Sequence, residues 1–159
     1  MPTTDLWTFA LACYARPGVE SACLELQAQG ADVCLLLCGA WLEVRGSASD
    51  PVRLGQLRAI ATPWQQHLQP LRQLRQQWRA AAQQDAALHR LREQLKSLEL
   101  QGERVLLERL ERCSDTWPTS AQQAHWLEAL LPVDSESSRA ALAVLRDAAR
   151  RTQLELRGA

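Results

Sequence analysis

A chain of 159 residues with 47% apolar and 23% charged side chains is long enough to bury a core, and its balance excludes a disordered or fibrous polymer. Eighteen basic side chains offset eighteen acidic ones, so no net field draws the whole molecule to nucleic acid or to an anionic membrane. The longest apolar run, VCLLLCGAWL at 33–42, is too short to cross a bilayer as a helix.

The charge is unevenly spread. Residues 1–50 hold two Arg against six acids, residues 51–113 hold eleven basic groups against six acids, and residues 51–84 hold five Arg and no acid. Arg supplies 17 of the 18 basic residues, a codon signature of a GC-rich bacterial genome. Five Cys, an odd number, and an opening without a basic segment before its apolar stretch point to free thiols in a reducing cytoplasm.

In chain order, nearly every segment has a helical period and none alternates cleanly as a strand. The Thr4–Asp5 pair caps a first helix that buries Leu6, Phe9, Ala10 and Cys13. Arg16-Pro17-Gly18 breaks it, and Pro17 can open a second helix presenting Val19, Cys23, Leu24 and Leu26 and stopping near Gly30. Asp32 caps a third helix to about Val44, apolar almost all round and therefore central; a strand competes there, but Cys38-Gly39-Ala40 suits one poorly.

Residues 45–51 read as a turn, and short helical pieces over 52–61 lead to Thr62-Pro63-Trp64, a cap with proline at the first helical position. Two long helices follow, 64–82 and 85–113, with a break placed at Gln83–Asp85 because one helix of fifty residues is improbable in a small domain. Thr119 or Ser120 caps a helix to Leu131, and Asp134 or Ser135 starts a last one to about Leu156. The fold expected is a single all-α domain, a helical bundle: an N-terminal three-helix cluster (1–45), a long antiparallel hairpin (52–113) and closing C-terminal helices (119–157).

At 100° per residue, Trp64, Leu68, Leu71, Leu74, Trp78 and Ala82 form one apolar stripe. Arg75 falls inside it, and Arg72 and Arg79 on its flank. The next helix aligns Leu88, Leu91, Leu95, Leu98, Leu106, Leu110 and Cys113; Glu99 and Gly102 fall inside this stripe and Glu103 beside it. A lone buried charge costs several kcal/mol, whereas a paired one persists. The hairpin should therefore join Arg72 and Arg75 to Glu99 and Glu103. That network either fixes helix register or lines a polar pocket for a small ligand. Gly102 would let another helix approach closely.

A second group is Tyr14, Arg16 and Glu20, an aromatic ring, guanidinium and carboxylate around one tight corner. It reads as a corner tied by Arg16 to a carboxylate, or as a recognition point beside the basic helix. Cys34 and Cys38 lie one turn apart but lack the further ligands zinc needs, so inert buried thiols are expected and no metal or cofactor. His67 lies at a stripe edge, His89 and His125 on wet faces, and no HExxH, Cys–His, P-loop or GxGxxG pattern exists, which leaves no catalytic residue to name. Arg53, Arg58, Arg72, Arg75 and Arg79 interleaved with Trp64 and Trp78 resemble a single-strand nucleic-acid surface, but the two rings share the apolar stripe and the net charge is zero.

These segments also carry a resemblance. Leu6-Trp7, Tyr14-Ala15-Arg16-Pro17-Gly18-Val19, Cys23-Leu24-Glu25-Leu26-Gln27, Gly30-Ala31-Asp32-Val33, Trp64, Pro70-Leu71-Arg72-Gln73-Leu74-Arg75 and Glu99-Leu100-Gln101-Gly102-Glu103-Arg104 stand in order over residues 6–110. They resemble a family of short, uncharacterised bacterial proteins, a domain of unknown function. Cys34 stands where that pattern has Asn, and Gln65 where it often has Arg. The resemblance implies a helical bacterial protein and supplies no activity. The expectation is a non-enzymatic cytoplasmic interaction or assembly factor with an unknown protein partner and no membrane or nucleic-acid target. A small-ligand-binding bundle is the alternative and an enzyme of unknown class the third.

Overall fold

The computed structural model of the chain describes residues 4–120 and 125–158. Among them are eight helices and no strand: α1 Leu6–Tyr14, α2 Val19–Ala28, α3 Val33–Arg45, α4 Pro51–Gln77, α5 Arg79–Ala82, α6 Ala86–Ser114, α7 Trp126–Leu130 and α8 Glu136–Gly158. The fold is an all-α bundle.

Local chemistry accounts for most boundaries. Asp5 and Asp32 accept hydrogen bonds from the first free N–H groups of α1 and α3, as their positions in the sequence predict, and Asp85, expected as the first residue of its helix, instead caps α6 in the same way. Pro17 does not open α2. Gly18, at φ +84°, is the N-cap, which leaves Pro17 in the turn. Leu24 is not on the buried face either: α2 buries Val19, Ala22, Cys23 and Leu26, an i, i+3, i+4, i+7 stripe from which Leu24 lies about 100° away, 52% exposed.

The largest correction concerns α4. No helix begins at Thr62-Pro63-Trp64. Asp50 caps and Pro51 opens one helix of 27 residues that runs through Pro63 and Pro70. Each proline removes a bond to the residue four before it and costs about 3 kcal/mol in a helix interior. Both prolines are exposed and seven residues apart, hence on one face, so the freed carbonyls of Ala59 and Gln66 open to solvent. Burial of Leu57, Ala61 and Leu68 on the opposite face keeps the helix intact. The expected 64–82 helix is also interrupted, at Trp78, before the single turn of α5. The break at 83–85 stands where the sequence places it.

One buried cluster draws on α1, α2, α3, α4, α6, α7 and α8. The central element is α3, in which every residue from Cys34 to Leu42 is buried. α1, α2 and α3 pack on one another, α8 closes over all three, and α7 lies against α3. The last contact needs Gly39: a Cβ there would stand 2.7 Å from a methyl of Leu130. The expected helix from 119 or 120 to 131 is present at Trp126–Leu130, and residues 121–124 lie outside those described. A bidentate ion pair missed by periodicity locks this body. Arg146 on α8 donates to both oxygens of Glu43 at 2.9 and 3.0 Å and to Glu128 at 2.7 Å, while Glu43 also accepts from Leu127 N–H.

The hairpin of α4 and α6 starts in this body and leaves it. Near the body it buries Leu57, Ala61, Leu106, Leu107 and Leu110; farther out, from residue 69 to 98, Ala82 alone is buried.

Candidate functional site

Where the hairpin leaves the body, the two helices come close. Leu68 packs directly over Gly102, where a Cβ would collide with its methyl, and Trp64 Nε1 donates to the Gly102 carbonyl at 2.8 Å. That contact sets the register that aligns the charges beyond it. Arg75 Nε meets Glu99 at 2.5 Å; Arg72 lies 3.8 Å from Glu99 and 3.6 Å from Glu103. The Glu99 side chain is 8% exposed and the two arginine side chains 25% each. The four residues picked from periodicity are thus one part-buried network, and Arg79 stays exposed beside it. Arg92 adds a bond from its Nε to the Arg75 carbonyl at 2.9 Å, tying α6 to the end of α4.

The network reaches farther than the hairpin. Asp32, read from sequence only as a cap, accepts from Gln65 Nε2 at 3.0 Å, and the Gln65 Oε1 is buried without a donor. Burial pushes the Asp32 and Glu103 carboxyls up from the ordinary carboxylate range, with Arg72 opposing in both cases. Tyr14 is pushed up by burial and by the nearby charges of Glu20 and Glu103. Arg16 belongs elsewhere: it turns to α8, donating to Thr152 at 2.7 Å and pairing with Glu155 at 2.6 Å. The corner is therefore tied to a carboxylate, that of Glu155. Glu20 itself is exposed.

On the other flank of the hairpin, an open groove of about 740 Å³ is lined by Ile60, Pro63, Trp64, His67, Arg109 and Arg112, among others. The sequence reading singled out neither arginine. Their signal was weak: two like charges three apart on the flank of an apolar stripe.

The four cysteines of α1, α2 and α3 are buried; burial pushes Cys13 up to about 11 and Cys23 up to about 12, and raises Cys34 and Cys38 as well. Cys113 is half-buried and also raised. Among the described residues no group of His, Cys, Asp and Glu could hold a metal ion, and no helix is long and apolar enough to cross a membrane.

Neither the curated proteins nor the solved structures contain a match to the chain. A family model described as "Protein of unknown function (DUF2390)" matches residues 5–110, which covers α1 to α4, α5 and most of α6, and the chain belongs to that family.

Proposed function

We propose that the protein is a non-enzymatic interaction or assembly factor, acting in the cytoplasm, that offers the outer part of its hairpin to a helix of another protein. The carrying observation is the exposure of Leu91 and Leu98, 50% and 48%, on the stripe that also holds half-buried Leu88 and Leu95. Leu71 and Leu74 of α4, and Trp78 just after it, are likewise only half-buried. A two-helix arm whose apolar side lacks a third layer suits a docked helix that brings its own i, i+3, i+4, i+7 anchors. Residues 70–100 carry six basic against three acidic side chains, a balance of +3. That excess favours an acidic amphipathic helix over a second, equally basic copy of the arm. The Arg/Glu network supports this role as a brace, because ion pairs closed on each other at the root of the arm fix the mutual register of α4 and α6.

A photo-crosslinking side chain at position 95, compared with one at exposed Glu136 on α8, tests the proposal in the native cytoplasm. The expected result is one discrete adduct from position 95, mapped to an acidic amphipathic helix, and none from position 136. Adducts equal at both positions, or none from 95, would refute it.

A further inference from the structure

We propose that the groove at the base of the hairpin binds a phosphate-bearing small molecule, independently of any partner on the arm. The groove's volume of about 740 Å³ falls in the range of small-molecule sites. Its floor is a fixed aromatic shelf. Trp64 is anchored by its indole N–H to the Gly102 carbonyl at 2.8 Å and is met edge-on by the His67 ring at 6.0 Å between centroids. The Arg109 guanidinium lies over this shelf, its carbon 4.4 Å from the ring centre. Stacking of that kind restrains the guanidinium and leaves its N–H edge for an oxyanion.

Arg109 and Arg112 differ from the arginines that tie one helix to another. Arg16, Arg72, Arg75 and Arg146 each meet a carboxylate, whereas among the described residues neither Arg109 nor Arg112 forms an ion pair and no acid lines the groove. Arg112 follows Arg109 by three residues, so two like charges stand side by side on α6, an arrangement that an anion would relieve. Two guanidinium forks and an imidazole offer more donors than one carboxylate can accept, and they suit the three terminal oxygens and double charge of a phosphate monoester. Ile60 and Pro63 supply an apolar wall for the body that carries it.

Titration of the ¹⁵N-labelled full chain with inorganic phosphate and with phenyl phosphate, following the Trp64 indole N–H, tests this directly. Acetate and a polyglutamate peptide serve as controls. The expected result is a saturable shift with both phosphates, tighter for phenyl phosphate, and weaker by about tenfold in Arg112→Ala and Arg109→Ala, the loss of one charge-assisted contact. Arg112→Gln should behave as Arg112→Ala, and both should melt as the parent does, because Arg112 is exposed. The absence of a saturable shift, or equal affinity in the Arg112 variants, would overturn the proposal. A response to polyglutamate alone would also overturn it and would make an acidic protein segment the occupant.

Discussion

The body and the arm of this protein handle the same residue types in opposite ways. In the body leucines vanish from solvent: Leu36 and Leu145 are 1% and 0% exposed. Its strongest ion pair, Arg146 with Glu43, joins helices from opposite ends of the chain. In the arm, leucines at helical spacing stay half in water, and the ion pairs join the two helices of a single hairpin. Apolar periodicity therefore locates a face without saying what covers it. The body's faces are covered by the rest of the chain, and the arm's face is not.

The comparison is broken most directly by cutting equivalent leucines. Leu36→Ala should cost about 2–5 kcal/mol, the range for emptying a packed core site, and Leu91→Ala less than about 1 kcal/mol. Chemical denaturation of the two variants checks this; similar losses would mean that the arm is as tightly packed as the body.

Arginine truncation comes next. Arg75→Ala leaves the buried Glu99 carboxylate short of its nearest partner and should cost about 2 kcal/mol, whereas Arg79→Ala should stay within about 0.5 kcal/mol. Equal melting shifts would remove the network from the account.

The pH dependence has a defined sign. Burial raises the Asp32 carboxyl in the folded state, so across the window from its unfolded value of about 3.9 up to its folded one the native state holds more protons than the unfolded state. Stability therefore falls as pH rises through that window. Asp32→Asn keeps an acceptor for Leu35 N–H and Gln65 but removes the ionisation. Its melting temperature should gain on the parent by a few degrees between pH 4 and 7, and a constant difference would contradict the assignment.

The smallest effect expected is a chemical one. In native protein at pH 8 a thiol reagent should modify Cys113 alone, slowly, and all five cysteines only after unfolding. Rapid labelling of Cys34 or Cys38 would show that the central helix opens.

Much of this could be read from the sequence because it is local. Asp caps, the apolar ring of α3, the break before Asp85 and the opposed charges in two helical stripes all follow from spacing along one helix. What spacing along one helix does not carry is contact between distant segments. Nothing near Glu43 announces Arg146, nothing near Arg16 announces Thr152 and Glu155, and Asp32 carries no sign of Gln65. Pro63 does not start a helix because Asp50 and Pro51 have already done so, and its ring, on the exposed face, lets the helix continue. The groove is not legible in spacing, because His67 reads only as a stripe edge and Arg109 and Arg112 as ordinary charges until Trp64 and Gly102 bring the two helices together.

Docking on the outer face of the arm is read out by the affinity of the crosslinked partner for the Leu91→Glu/Leu98→Glu variant. The expected result is at least a tenfold loss of affinity with melting unchanged to within a few degrees, since both side chains already face water. Undiminished affinity in a variant that melts normally would contradict it.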